Sequence, residues 1–392
     1  STPKPSSAAS DVYKRQDYLF MYERIIPEVL SEYDPDTFYW PASPSSGGSF
    51  DEPNDPNRGD VHYWEVWHGN KPFSEYRKYF FRYASEFGFQ SFPSVKTLET
   101  VTDDPKELNP FSYVMEKHQR NYGGNGKIAK YMQAAYRYPE NFSDFVYVSQ
   151  LLQADGIRYG VEHYRRNRGR CMGAIYWQLN DCWPVISWSS IDYYGRWKAL
   201  HYYAKRFFAP VMLSCEEQSW MTVEADMNRQ HFEFEKSIRL NVTNETLDAH
   251  RVLVKWAVRK TDATILREEE QWLEVPALSA VWMDKVELPQ IDCFNEYVSY
   301  EAWENDQIIS QGTVIFSYPK YFHYLNPGLA VRVDGDEIVV KAEAYAKSVE
   351  IRNENDDLIL EDNYFDINAG EYRVKILDGK PDGLKVRSVY DI

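Results

Sequence analysis

Two patterns of apolar and polar residues divide the chain near residue 210. In the first part, short apolar runs alternate with longer helix-like stretches, beginning with a helix predicted at Asp17–Glu32 that Pro27 must kink or divide. Strands are predicted at 37–41, at 61–67, around Glu86 and at about 171–177. A helix capped by Ser143 and running to about Arg168 is predicted between the last two strands. This alternation predicts parallel strands joined by helical crossovers.

Beyond residue 210 the pattern changes to strict alternation of apolar and polar positions. Clear examples are 237–242, 251–258 and 297–303, and turn residues separate them at intervals typical of a sandwich. After a break at 317–320, a second set of short strands follows. The second part is therefore predicted to form two all-β sandwich modules. Their expected role is rigid packing against the first part.

Charge and composition exclude several classes of partner. The chain has 392 residues, with 44 Lys and Arg against 60 Asp and Glu, and its formal charge of −16 repels the phosphates of nucleic acids. No apolar run reaches the 18 or more residues of a membrane span. The four cysteines have neither a metal-ligand spacing nor the density of a disulfide framework. Oligomeric state is not decided by the sequence.

The most informative motif is at residues 83–93, which read YASEFGFQSFP. It places the carboxylate of Glu86 at the end of a strand-like segment, where a glycosidase would hold its nucleophile. The motif resembles the nucleophile signature of β-mannosidases of glycoside hydrolase family 2. The resemblance implies that Glu86 is the nucleophile of a retaining mechanism and that neither a cofactor nor a metal is required.

A second block, residues 173–184, reads GAIYWQLNDCWP and is similar to the last barrel strand and following loop of the same family. The resemblance implies that Trp177 forms part of the floor of the sugar site. An indole suits this role because the C–H face of a pyranose packs on it, while sugar hydroxyls need polar partners such as Asn180 and Asp181. The later tryptophans of this block are expected to be packing residues.

Three further aromatic or polar side chains follow predicted strands. Trp40 ends the strand predicted at 37–41, and the pair Trp67 and His68 ends the strand predicted at 61–67. In a barrel these positions face the mouth of the active site. A histidine there either hydrogen-bonds a sugar hydroxyl or the nucleophile, or is structural, and the sequence leaves these roles open.

The resemblance also sets the expected domain organisation. A closed (β/α)8 TIM barrel needs eight strands, and only four are predicted here, so 17–210 is expected to be its C-terminal half. Residues 1–16 are expected to be a cloning or sequencing scar, and 211–317 and 318–392 two immunoglobulin-like sandwich domains. In the family the acid/base glutamate follows strand four in an Asn-Glu pair. No such pair precedes Asp17, so the acid/base residue is expected to lie upstream of this chain.

The function implied is exo-acting hydrolysis that removes terminal β-D-mannose from oligosaccharides or glycans, with this fragment inactive alone. Two alternatives stay open: another family 2 glycosidase, such as a β-galactosidase, β-glucuronidase or exo-glucosaminidase, or a non-catalytic carbohydrate-binding fragment. The compartment is undecided. The resemblance implies the periplasm or the exterior for a bacterial source, and the lysosome for an animal one.

Overall fold

The computed structural model describes residues 14–223 and 233–392. Most of the scar predicted at 1–16 therefore lies outside the described residues. Within these ranges, no helix has the length and hydrophobicity that crossing a bilayer requires. Residues 14–25 form a helical segment that runs directly into α1 (Ile26–Tyr33). The other described helices of more than three residues are α2 (Val95–Leu98), α3 (Tyr113–Lys117), α4 (Gly124–Ala135), α5 (Phe142–Arg166), α6 (Ala199–Phe207) and the 3-10 helix Phe73–Lys78.

The N-terminal helix is confirmed, and it changes geometry directly before its proline. Residues 14–20 are helical, Met21–Ile25 form a π-helical turn, and α1 follows with Pro27 in its first turn. Proline has no N–H for an intrahelical bond, which is why the helix is interrupted here. None of the residues in the π turn or in α1 is buried.

Three short strands form a parallel sheet in the order β1-β2-β3, with β1 at Val61–His62, β2 at Ala84–Phe87 and β3 at Ala174–Tyr176. The strand predicted at 37–41 is wrong, because these residues form irregular structure with no ladder partner. The chain pairs only slightly later, in an isolated bridge between Ser45 and Asp60. The adjacent strand β1 is also shorter than the predicted 61–67, since residues 65–69 form a turn.

The long helix α5 packs behind this sheet and is buried along most of its length. Its N-cap is Asn141, whose side chain accepts the N–H of Asp144 over 3.0 Å. The prediction of Ser143 as the cap was therefore wrong by two residues, because an asparagine side chain two positions earlier meets the first free N–H groups. Gly160 and Gly156 let the rings of Phe87 and Phe73 approach the helix backbone.

The described residues of the first sandwich form eight strands: β4 (Val211–Gln218), β5 (Ser237–Asn244), β6 (His250–Lys260), β7 (Ile265–Val275), β8 (Ser279–Trp282), β9 (Val286–Glu287), β10 (Glu296–Glu304) and β11 (Gln307–Ile315). One sheet has the order β4-β5-β8, with β9 also on β5, and the other has the order β11-β10-β6-β7. Alternate residues of β6, such as Val252, Val254 and Trp256, fill the core between them. The period of two read from the sequence is thus confirmed.

The second sandwich contains β12 (Ala330–Asp334), β13 (Glu337–Ala342), β14 (Ala346–Arg352), β15 (Ile359–Leu360), β16 (Phe365–Ile367), β17 (Gly370–Asp378) and β18 (Lys385–Arg387). Its core is continuous with that of the helical part. The contact is also polar: Tyr147 on α5 donates to the carbonyl of Ser348 over 2.6 Å, and Arg387 reaches Asp144 over 2.8 Å. This sandwich therefore buttresses α5, as expected for rigid packing.

Candidate active site

The carboxyl ends of the three parallel strands bring together residues that are far apart in sequence. His62 at the end of β1 lies opposite Glu86 of β2, and Phe87 lies opposite Tyr176 of β3. The N–H of Trp177 donates to the carbonyl of Phe87 over 2.8 Å. Because parallel strands end at the same edge, His62, Glu86 and Trp177 share one rim of the sheet.

The carboxylate of Glu86 is held at one oxygen and less engaged at the other. The indole N–H of Trp64 donates to Oε1 over 2.9 Å, and Nδ1 of His62 lies 3.6 Å from Oε2. The side chain is 23% exposed, so it is oriented by protein contacts and still accessible from outside. An oriented, accessible carboxylate can act as a nucleophile or stabilise a cationic transition state.

Gly88 is required by the close packing of this rim. A Cβ at this position would lie 2.5 Å from the carbonyl oxygen of Trp177, 2.8 Å from the Trp64 ring and 3.1 Å from Trp188. Any side chain here would push these tryptophans apart. The absence of a side chain at Gly88 thus leaves room for Trp64, Trp177 and Trp188 to pack together next to the strand that carries Glu86.

The block after β3 separates into exposed and engaged residues. Trp177 is 45% exposed and offers an open indole surface on the rim of the sheet that also carries Glu86. Asn180 is exposed as well. Asp181 is buried, and its carboxylate accepts Ser187 Oγ over 2.9 Å, Ser189 Oγ over 2.6 Å and Gln178 Nε2 over 3.3 Å. Asp181 orders the loop, and little of its acceptor capacity is left for a sugar hydroxyl.

The two residues after β1 have different surroundings. Trp67 is fully buried, with its ring edge-on to Phe89 and Trp188, so it presents no face to a ligand. His68 is exposed and its ring lies 5.1 Å from that of Trp64. Partial burial, and secondarily the Lys127 ammonium, lower the pKa of His68. The histidine that faces Glu86 is His62, six residues earlier than the one named from the sequence.

Trp40 reaches the site through Asp60. Its side chain is 37% exposed, and its indole N–H donates to Asp60 Oδ1 over 2.9 Å. The same carboxylate accepts Ser45 N, Ser43 Oγ and Ser85 Oγ, so both of its oxygens are doubly hydrogen-bonded. Burial acts to raise the pKa of Asp60, but these four hydrogen bonds together hold it below its usual value.

Sequence reasoning missed His62, Trp64 and Asp60. One signal was available, because positions 60, 62 and 64 alternate with the apolar Val61 and with Tyr63, as expected for a strand with one face turned to the site. The three Asn-Glu pairs of the chain lie in or beside the sandwiches, at 244–245, 295–296 and 353–354. Across the described ranges, no group of three or more His, Cys, Asp or Glu side chains is placed to hold a metal ion.

Two protein families match the sandwich region. The family described as Mannosidase Ig/CBM-like domain matches residues 236–321, and one described as Ig-fold domain matches residues 324–392. Both matches fall on the two β-sandwiches of the structure. They confirm the prediction of two immunoglobulin-like all-β domains.

Relatives in sequence and structure cover most of this chain. Beta-mannosidase B of Aspergillus terreus is 29% identical over 377 residues, covering 92% of this chain and 44% of that protein. The one of Thermothelomyces thermophilus is 30% identical over 400 residues, covering 95% and 46%. The crystal structure of a β-D-mannosidase from Dictyoglomus thermophilum superposes with a TM-score of 0.81 at 28% identity, covering 94% of this chain and 44% of that one.

A more distant structure shares the fold alone. The exo-chitosanase of Amycolatopsis orientalis superposes with a TM-score of 0.54 at 18% identity, covering 78% of this chain and 42% of that one.

The sequence relatives, the Dictyoglomus structure and the two domain families confirm the resemblance to β-mannosidases that the motifs indicated. The chain spans somewhat less than half the length of the relatives named here.

Proposed function

We propose that this chain, a relative of β-mannosidases, is the C-terminal catalytic portion of an exo-acting, retaining β-mannosidase. The observation that carries the proposal is the carboxylate of Glu86 at the carboxyl end of the central parallel strand, where Trp64 donates a hydrogen bond to it and the exposed Trp177 follows the neighbouring strand at the same rim. The substrate would be a terminal β-D-mannose residue of an oligosaccharide or glycan.

The parallel sheet and its helices, residues 17–210, would be half of a TIM barrel. Two observations support this. In the part of the chain that the structure describes, neither edge strand of the sheet has a second strand partner, and Ile175 on the edge strand β3 is 52% exposed. The N-terminal helix also turns apolar side chains to solvent, among them Phe20 and Val29. Strands and helices from outside this chain would cover these surfaces. The proposed sandwich domains are 211–317 and 318–392.

In the proposed mechanism an oxygen of Glu86 bonds to the anomeric carbon of mannose. The bond from that carbon to the leaving-group oxygen breaks, and its electron pair goes to that oxygen, which takes a proton from a general acid. Water then gives a proton to the same acid/base group and attacks the anomeric carbon, which releases Glu86. Asp60 is unsuited to that acid/base role, because four donors occupy its carboxylate. We place the acid/base residue upstream of this chain.

The proposed sugar site uses the accessible residues of the rim. The C–H face of the mannose would pack on Trp177, and Asn180 would reach a hydroxyl. Trp40 and His68 are exposed enough to contact a bound sugar at the periphery. Trp67 and Asp181, which the sequence nominated, are given supporting roles instead, the first in the core and the second in the loop.

The test is kinetic and uses the product of the complete reading frame, because the chain spans less than half of its relatives. Glu86→Gln preserves size and removes the charge, so kcat for an aryl β-mannoside should fall by at least about 10³-fold. Azide added to Glu86→Ala should restore turnover and yield the α-mannosyl azide. Glu99→Gln, an exposed carboxylate paired with Lys96, is the matched control.

Near-normal turnover by Glu86→Gln would remove Glu86 from the mechanism. A panel of aryl β-galactoside, β-glucuronide and β-glucosaminide separates the other family 2 activities from the proposed one. Saturable binding of mannosides by the complete product, with no hydrolysis of any member of the panel, would replace the proposal by a carbohydrate-binding function.

A further inference from the structure

A chain of hydrogen bonds leads from a buried carboxylate to the proposed nucleophile. Ser43 Oγ lies 2.6 Å from Asp60 Oδ2 and 3.0 Å from Nε2 of His62. On its other side the same imidazole places Nδ1 at 3.6 Å from Glu86 Oε2. In the neutral imidazole one nitrogen carries the hydrogen atom. Which nitrogen carries it therefore decides whether Nδ1 presents an N–H or a lone pair to Glu86 Oε2.

The count of hydrogen-bond donors around Asp60 and Ser43 assigns that hydrogen to one nitrogen. Asp60 is ionised and offers only acceptors, and its Oδ1 is taken by Trp40 Nε1 and Ser45 N. Ser43 has one O–H, and the short contact to Oδ2 assigns that hydrogen to the carboxylate. The Ser43 oxygen can then act only as an acceptor toward Nε2 of His62. Nε2 must carry the imidazole hydrogen in order to donate to it.

We propose that Asp60, acting through Ser43, is a positioning residue that keeps neutral His62 in its Nε2–H tautomer and so leaves Glu86 Oε2 without an N–H donor. This inference rests on the proposed function, in which Glu86 is the nucleophile. Oε1 accepts the Trp64 N–H, and Oε2, whose one polar side-chain neighbour among the described residues is then the bare Nδ1 of His62, is the oxygen that attacks the anomeric carbon. The opposite tautomer would donate to Oε2 and compete with the sugar for its electron pair.

The tautomer can be read without substrate by ¹H–¹⁵N correlation spectra of this chain labelled in histidine, recorded at a pH at which His62 is neutral. The nitrogen that carries the hydrogen resonates well upfield of the bare one. The His62 signals are identified by their loss in His62→Gln. Two other histidines are internal standards, because each ring nitrogen that meets a carbonyl must carry hydrogen: Nε2 of His163 meets Tyr79 O at 2.8 Å, and Nδ1 of His118 meets Pro184 O at 2.6 Å.

We expect neutral His62 to match the pattern of His163. A pattern like that of His118, or a mixture of both, overturns the proposal. Asp60→Asn tests the cause: its oxygen must still face Trp40 and Ser45, so its NH₂ turns to Ser43, whose O–H is then free to donate to Nε2. His62 should switch to the Nδ1–H pattern. An unchanged pattern in a folded Asp60→Asn protein contradicts the role of Asp60.

Ser85→Ala is the matched control, because Ser85 donates to the same Oδ2 and lies 3.2 Å from Ser43 Oγ, but makes no contact with His62 among the described hydrogen bonds. It should leave the tautomer unchanged, and a switch in this variant would also overturn the proposal. In the complete gene product, Asp60→Asn should lower kcat and leave KM for an aryl β-mannoside unchanged. The tautomer is read without turnover, so its outcome is separate from that of the test of Glu86 as nucleophile.

Discussion

The indole N–H of Trp64 donates to Oε1 of Glu86 over 2.9 Å. Trp64 follows strand β1 by two residues, and Glu86 lies in the neighbouring strand β2. The parallel pairing of the two strands brings a donor and a carboxylate together from positions 22 residues apart. This contact fixes the orientation of the carboxylate at the rim of the sheet.

Trp64→Phe should lower kcat of the complete gene product and preserve its fold. The ring remains, but the hydrogen bond to the carboxylate is lost, and bonds to charged groups contribute about 1.5–3 kcal/mol, or roughly 10- to 100-fold in rate. Steady-state kinetics with an aryl β-mannoside measure the effect. Trp188→Phe is the matched control, since the Trp188 N–H has no hydrogen-bond partner among the described residues. Equal losses in both variants would assign the effect to packing.

Trp177→Ala should weaken both binding and catalysis. It removes an exposed stacking surface at the rim that carries Glu86, with an expected loss of about 2–4 kcal/mol in kcat/KM. Circular dichroism must accompany the kinetics. Trp272→Ala, at a tryptophan on strand β7 of the sandwich that is somewhat more exposed than Trp177, should leave kcat/KM unchanged. If Trp177→Ala unfolds the protein, the residue belongs to the core and the sugar-floor role fails.

This chain produced alone should not hydrolyse mannobiose. The leaving group of an unactivated mannoside needs a proton, and we propose that the acid lies outside the chain. The open sheet edges and the exposed apolar side of the N-terminal helix should also promote self-association, visible by sedimentation. Turnover at rates ordinary for glycosidases, around 1–10³ s⁻¹, would show that an acid within the chain has been overlooked.

His163 should make the helical part sensitive to acid. Burial, helped by the nearby Arg166, lowers the pKa of His163 to about 3 from an ordinary 6.5. Below pH 6.5 His163 binds a proton in the unfolded chain but not in the folded chain. The free energy of unfolding therefore falls as the pH drops from 6.5 toward 3. At pH 5 this one residue should lower the free energy of unfolding by about 2 kcal/mol relative to pH 7.

Urea unfolding at both pH values, followed by tryptophan fluorescence, measures this cost. His163→Gln retains a donor for the Tyr79 carbonyl and removes the titration, so its loss of stability between pH 7 and pH 5 should be smaller than that of the parent chain. An identical loss in the two proteins would show that His163 does not contribute to the acid sensitivity.

The sequence by itself determined the elements that have a strong period and the residues that have a local motif. The alternation in 251–258 predicted strand β6, because a sandwich strand buries every second side chain whatever its neighbours are. The motif at 83–93 likewise placed Glu86 at the end of a strand, since strand, carboxylate and glycine are contiguous in the chain. Both inferences depend on interactions within a few residues.

Tertiary structure decided which side chains surround Glu86. His62 rather than His68 faces the carboxylate, and Trp67 lies in the core, because β1 ends at His62 and the following residues turn away from the rim. The pairing of β1 with β2 sets this register, and no local pattern encodes it. Whether a polar residue is free or engaged is equally non-local: Asp181 is taken up by serines six and eight residues further on, while Asn180 beside it remains exposed.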